Sequence, residues 1–262
     1  MGSILKMEHI CKNFAGLKAL DDISLDIQDD EIFGLIGPNG AGKTTLFNAV
    51  SGFSAPSSGE VYFCGENFTD KTTTDYCIKG LARTFQNIRV FGDMTVVENL
   101  KVGMHKNINT SLMDVVFHTK KMKEEEEKGR QKCQEIMEFL GIEQHANEFA
   151  ASLPYGTQRL IEIGRALASD PKLILLDEPS AGMNEQETME LAGLIRKIRK
   201  SGPAVLVIEH NMKFMMGLCD RIACICFGKL LAIGTPDEVQ NNTAVIEAYL
   251  GKGASANAKS YA

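Results

Sequence analysis

The stretch Gly37-Pro38-Asn39-Gly40-Ala41-Gly42-Lys43-Thr44-Thr45 follows directly on the apolar run Glu31-Ile32-Phe33-Gly34-Leu35-Ile36. It is a complete G-x-x-x-x-G-K-[ST] loop, placed where a buried strand feeds it and where Lys43 to Ser51 is expected to continue as a helix. The glycines allow backbone N–H groups to turn inward around an anion. The helix start adds unpaired N–H groups and the positive end of its dipole. Lys43 is expected to reach the β- and γ-phosphates of a nucleotide, and the Thr44 hydroxyl to face a Mg2+ ion.

Working outward, short strands are expected over 4–10, over 23–27, where polar and apolar residues alternate, and over 60–64. From Met94 to residue 150 there is no proline and the spacing turns helical, with Val97, Leu100 and Met104 on one face and Ile136, Phe139 and Leu140 on another. The charged run 120–128 reads as a solvated helix face with opposite charges four apart, Lys120/Glu124 and Glu124/Lys128. The strand pattern returns with Leu173-Ile174-Leu175-Leu176 and Ala204-Val205-Leu206-Val207-Ile208, apolar throughout as in a parallel sheet covered on both faces. A helix over 187–200 joins them into a β-α-β unit, and a hairpin is expected around Gly228.

Asp177 and Glu178 close the first of these strands. In an open parallel sheet ligands gather at the carboxyl ends of strands, so this pair and the glycine loop should share one site. Asp177 suits a metal ion, directly or through water, and Glu178 suits the attacking water. His210 closes the next strand and should stand beside them, in reach of a γ-phosphate or of the water. Gln86, in Arg83-Thr84-Phe85-Gln86-Asn87, carries no signal by itself.

The bulk properties set limits. The chain has 262 residues, room for one large α/β domain or two small ones. Its net charge of −6 offers no electrostatic pull toward nucleic acid. No apolar run approaches the roughly 18 residues of a membrane span. Lys6 and Glu8 interrupt any signal-peptide pattern. The seven cysteines (11, 64, 77, 133, 219, 224, 226) complete no zinc spacing and read as small hydrophobes in a reducing compartment.

Taken together, the motifs give a chain that resembles the ATP-binding cassettes of ABC transporters over residues 4–250. Besides the loop 37–45, it has the Q-loop glutamine Gln86, a signature segment Leu153-Pro154-Tyr155-Gly156-Thr157, the strand 173–178, a D-loop Ser180-Ala181-Gly182-Met183-Asn184 and the H-loop His210. The resemblance implies an α/β fold with a RecA-like P-loop core, an antiparallel β edge and an inserted α-helical subdomain. In that scheme 1–90 and 161–250 form the nucleotide-binding core, 91–160 the helical insertion and 251–262 a flexible tail. It also implies that Phe14 stacks on adenine, and that Asn39, Gly40, Ala41, Gly42, Lys43, Thr44 and Thr45 hold ATP. Thr44, Gln86 and Asp177 would serve Mg2+, and Lys43, Gln86, Glu178 and His210 would serve catalysis. Leu153 to Thr157 would reach the nucleotide of a second cassette, with Ser180 and Asn184 nearby. Pro154, Tyr155, Thr157 and Asn184 depart from the usual family pattern, which bears on the strength of that clamp.

Within the family, Thr84-Phe85-Gln86-Asn87-Ile88-Arg89-Val90-Phe91, the Leu-Pro-Tyr-Gly signature and Val245-Ile246-Glu247-Ala248-Tyr249-Leu250-Gly251 look like the ATP-binding subunits of bacterial branched-chain amino-acid importers. That likeness implies a peripheral subunit on the cytoplasmic face of the inner membrane. Its partners would be a second cassette, identical or different, two integral-membrane permease subunits and, indirectly, a solute-binding protein, with no nucleic acid. The segment Gln86–Leu100 is the expected permease contact. Urea or amide importers, and a soluble cassette ATPase of iron–sulfur cluster assembly, remain alternative readings of the same catalytic residues.

Overall fold

The computed structural model describes residues 2–105 and 120–250. The expected tail 251–262 and the side chain of Lys120 lie outside the described residues. Two compact units divide the chain: residues 1–83 with 172–262, and Thr84–Pro171. The 91–160 that the resemblance implies for the helical insertion falls within the second unit.

The first unit begins with β1 (Ser3–Phe14), β2 (Leu17–Gln28), β3 (Ile32–Ile36), α1 (Lys43–Ala49), β4 (Ser58–Phe63), β5 (Glu66–Asn67), α2 (Thr73–Lys79) and β6 (Leu81–Arg83). The second unit follows with α3 (Val96–Gly103), α4 (Lys120–Leu140) and α5 (Tyr155–Ala168). The chain then returns with β7 (Leu173–Asp177), α6 (Glu185–Lys200), β8 (Ala204–Ile208), α7 (Met212–Leu218), β9 (Arg221–Cys226), β10 (Lys229–Gly234), α8 (Pro236–Gln240) and α9 (Thr243–Leu250).

In the first unit, β3, β8, β7 and β6 pair in parallel, β9 joins β3 in parallel, and β10 closes the sheet antiparallel to β9. Every residue of β3, β7 and β8 is buried, as their apolar runs require. One face (Phe33, Leu35, Leu175, Leu206, Ile208) shares a core with Leu46 and Phe47 of α1 and with the antiparallel sheet β2-β1-β4-β5. On the other face Gly34 leaves room for Met215 and Cys219: a Cβ there would lie 2.7 Å from the Met215 Cε. Burial pushes the thiols of Cys133, Cys219 and Cys224 up, the last to about 12, consistent with packing residues. Cys77 is exposed and is no such packer.

The strands β1 and β2 are each 12 residues long, well beyond the short strands expected. Register shifts explain why the alternation looked broken: His9 (φ 53°) and Asp22 (φ 59°) sit in left-handed backbone and bond each other, Nδ1 to Oδ1, at 2.7 Å. The hairpin at Gly228 forms as expected, with Phe227 (φ 48°) and Gly228 (φ 75°) at its turn. Phe227 is 87% exposed, so it gains little from packing while occupying a conformation that suits Asn or Gly. Phe227→Asn should therefore raise stability by about 1 kcal/mol, read as a higher urea midpoint.

The second unit is helical. The buried face of α3 is Val96, Asn99 and Leu100; of the expected Val97, Leu100 and Met104, Leu100 is buried and the other two only partly so. A Thr95/Glu98 capping box starts that helix. Asn99 is fully buried on that face: its carboxamide accepts from Phe91 N–H and donates to the Phe91 and Thr95 carbonyls, tying the preceding loop to the helix. Helix α4 buries Cys133, Ile136, Met137 and Leu140, and its exposed charges pair three apart, Glu125 with Lys128 and Glu127 with Arg130.

Candidate nucleotide site

The glycine loop leaves β3 and enters α1 as expected. Gly40 (φ 76°) and Gly42 (φ 103°) adopt left-handed backbone. A Cβ on Gly42 would stand 2.7 Å from the Ala19 carbonyl, so only glycine fits there. Around Gly40 nothing lies within 4 Å of that position, which leaves open room at the loop's crest. No side chain caps α1, so its first-turn N–H groups remain available to an anion. The backbone N–H of Gly228 donates to the Ala41 carbonyl at 2.9 Å and braces the loop from the β9–β10 hairpin.

Lys43 is buried, and its Nζ donates to the Gly37 carbonyl at 2.6 Å and the Pro38 carbonyl at 3.1 Å. Burial pulls its pKa below the usual lysine range, while the nearby Glu178 acts in the opposite sense. Thr44 is exposed, next to it in the first turn of α1. Phe14 ends β1, 49% exposed, with the Lys12 ammonium 5.3 Å from its ring centre.

The carboxyl ends of β3, β8 and β7 lie side by side, with β8 between the other two. Asp177 ends β7, buried. Glu178 takes left-handed backbone (φ 46°), strained for a non-glycine residue, and its N–H donates to the Ile208 carbonyl at 2.9 Å. His210 stands where expected: its Nδ1 is 3.8 Å from Glu178 Oε1 and its ring is largely exposed. Among the described residues no three His, Cys, Asp or Glu side chains form a metal cluster by themselves. The oxygen donors at this rim, the Thr44 hydroxyl and the Asp177 carboxylate, are of the kind magnesium takes when phosphate oxygens and water complete its shell.

Sequence reasoning passed over Glu209. Its carboxylate is fully buried and accepts from the Ser180 N–H (2.9 Å), the Ser180 hydroxyl and the His210 N–H (3.0 Å), so it ties the 180–184 loop to the segment carrying His210. Asn184 acts locally: its side chain caps α6 by accepting from Glu187 N–H at 3.0 Å.

In the second unit, Gln86 is exposed and Leu153 is buried. Pro154 is the N-cap of α5, with no capping side chain, so the N–H groups of the turn that includes Gly156 are left open. Tyr155 is 46% exposed, and Thr157 half-buried. Sequence reasoning also passed over Arg159 and Glu162, a buried pair at 2.7 Å. The Arg159 guanidinium donates to the Phe85 carbonyl (2.8 Å) and the Gln86 carbonyl (2.9 Å), fastening the glutamine segment to α5. Arg159→Met would strand the Glu162 charge and two carbonyls, and should cost about 3–5 kcal/mol in urea unfolding. Replacing both partners by apolar residues should cost less.

Fold and site define a P-loop nucleotide triphosphatase cassette: a loop for phosphates, a buried aspartate, a glutamate on the next residue and a histidine on the neighbouring strand. A family model described as ABC transporter matches residues 20–181. A second, described as Branched-chain amino acid ATP-binding cassette transporter, matches residues 229–255. The high-affinity branched-chain amino acid transport ATP-binding protein LivG of Salmonella typhimurium is 40% identical over 250 residues, covering 95% of this chain and 98% of that protein. BraF of Pseudomonas aeruginosa, with the same description, is 39% identical at the same coverage. A crystal structure of a nucleotide-free ATP-binding cassette from an ABC transporter superposes with a TM-score of 0.83 at 33% identity, covering 96% of this chain and 100% of that one. The chain belongs to the ABC transporter family and is one of its ATPase cassettes. No helix among the described residues is long and apolar enough to cross a membrane.

Proposed function

We propose that this chain is the ATP-hydrolysing subunit of an importer for branched-chain amino acids. The observation that carries the ATPase half is the convergence of Lys43, Asp177, Glu178 and His210 on one rim of the parallel sheet. The transport half is supported by the likeness to LivG and BraF, which extends into the C-terminal segment as well as the nucleotide core.

In this reading the loop from Asn39 to Thr45 holds the phosphates with backbone N–H groups, and Lys43 moves from the Gly37 and Pro38 carbonyls to the β- and γ-phosphate oxygens. Phe14 offers its exposed face to adenine. Thr44 and Asp177 hold Mg2+, with Gln86 in the role its motif implies. When bound, the ion supplies charge neutralisation on the phosphates. Glu178 orients the attacking water and takes its proton, and His210 bonds the γ-phosphate or that water. The open N–H groups around Gly156, rather than side chains, would bind the γ-phosphate of a second cassette, because Pro154 has no donor to give. The working unit is a dimer of cassettes, the same or different, peripheral to the cytoplasmic face of the inner membrane. Two permease subunits dock at 86–100, where Phe91 (46%) and Met94 (38%) are exposed, and a solute-binding protein delivers the cargo.

Uptake of labelled leucine, isoleucine and valine by cells deleted for this chain tests the proposal. Uptake should return with the parent and not with Glu178→Gln. Unchanged uptake in the deletion, with loss of urea or amide uptake instead, would move the cargo to the related importers.

A further inference from the structure

Helix α9 packs against β10 and α8, with Val245 buried. Tyr249, in its last turn, keeps its hydroxyl oxygen away from solvent, and among the described residues that oxygen has no partner in hydrogen-bond geometry. A buried phenol hydroxyl normally finds one. The groups around it belong to the entry of the glycine loop. Burial and then the Cys224 thiol push the Tyr249 pKa up to about 12, while the backbone of Gly37 acts in the opposite sense. A backbone group lowers a phenol's pKa by directing its N–H at the oxygen, so the Gly37 N–H faces the Tyr249 hydroxyl. Cys224 is the register partner of Ile36 and acts on Lys43 as well, so Lys43, Cys224 and Tyr249 gather at one place. Gly37 follows the last residue of β3 and has little room to shift. A Cβ there would lie 2.1 Å from the Ile225 carbonyl, and its own carbonyl accepts from Lys43 Nζ at 2.6 Å.

We propose that Tyr249 is a positioning residue for the phosphate loop: its enclosed hydroxyl, beside Gly37, sets where the chain turns out of β3 toward the nucleotide. Gly37 is held at both of its polar groups. Its carbonyl bonds the Lys43 ammonium, and its N–H is aimed at the Tyr249 hydroxyl. When Lys43 leaves that carbonyl for the phosphates, one of the two holds is lost, and the contact with Tyr249 keeps the residue in place. A buried hydroxyl without a full hydrogen bond costs stability, and such costs gather where a site needs a fixed geometry. Phenylalanine would fill the same space and offer the Gly37 N–H no acceptor. The contact ties nucleotide affinity to the C-terminal segment, the part of the chain matched by the branched-chain transporter model at 229–255. The inference rests on the reading of Asn39 to Thr45 as the loop that holds the phosphates.

The test is calorimetric binding of ADP and of AMP to the full chain, for the parent, Tyr249→Phe and Lys43→Ala, with urea unfolding of each. Tyr249→Phe should bind ADP about three- to tenfold more weakly, the fold-change that one hydrogen bond carries. AMP, which lacks the β-phosphate, should be weakened less. The urea midpoint of Tyr249→Phe should be no lower than the parent's, because the hydroxyl it loses makes no full hydrogen bond. Parental ADP affinity in Tyr249→Phe, alongside weakened binding in Lys43→Ala, would overturn the inference and leave the phosphate loop standing. Parental ADP affinity in Lys43→Ala would overturn the loop reading itself and the inference with it. A lowered urea midpoint in Tyr249→Phe, with equal weakening toward ADP and AMP, would reduce Tyr249 to a packing residue and also overturn the inference. Should Tyr249→Phe not fold, Tyr249→Met decides: it too removes the hydroxyl while keeping apolar bulk, and ADP affinity equal to the parent's contradicts the positioning role.

Discussion

Glu178→Gln should bind ATP with parental affinity and lose turnover by about 10²–10⁴-fold, the range expected when a positioned general base is removed. The substitution keeps size and hydrogen bonding and removes only the ability to take a proton. It leaves intact the N–H of residue 178 bonded to the Ile208 carbonyl, which fixes the strained turn. The variant should therefore melt near the parent's temperature and accumulate as an ATP-bound dimer. Phosphate release and size-exclusion chromatography with ATP are the readouts. Near-parental hydrolysis would remove Glu178 from the base role and turn attention to His210, which is 3.8 Å from it.

Lys43→Ala should lose ATP affinity by about 2–4 kcal/mol, the loss typical when one member of a buried charge pair is truncated. Calorimetry with ATP should show it, and AMP, which lacks the β- and γ-phosphates, should show far less. Stability should change little by comparison. The ammonium is already disfavoured by burial, as its lowered pKa indicates, so its removal relieves a desolvation cost while giving up two bonds to loop carbonyls. An ATP affinity equal to the parent's would refute the phosphate role.

These two residues were legible in the sequence because their signals are local. Strand, glycine loop, lysine and helix occupy one short stretch, and the acid pair stands at the end of an uninterrupted apolar run. The neighbouring position of His210 needed only the pairing of β7 with β8, which a β-α-β unit favours. What escaped was the set of charges that the fold buries. Arg83 meets Asp177 from 94 positions away, Arg159 meets the Phe85 carbonyl from 74, and Glu209 meets Ser180 from 29. A charged residue in a sequence reads as exposed, and only tertiary neighbours show that its burial is compensated. The length of the first hairpin escaped for a different reason: bulges at His9 and Asp22 shift the register, so strict alternation ends before the strands do. In α3 the buried Asn99 went unread, since a polar side chain at a helical position reads as solvent-facing.

The family, the cassette fold and the ATPase class are carried by motif, topology and relatives together. The proposed function requires that the ATPase drive a membrane complex. Purification of the full chain from native membranes in mild detergent, with its partners identified by mass, tests this most directly. Two hydrophobic permease subunits and a cassette partner should be recovered, in a complex whose ATP hydrolysis disappears with Glu178→Gln. Recovery from the soluble fraction alone, with assembly proteins and no membrane partner, would contradict the transport role while leaving the ATPase chemistry in place.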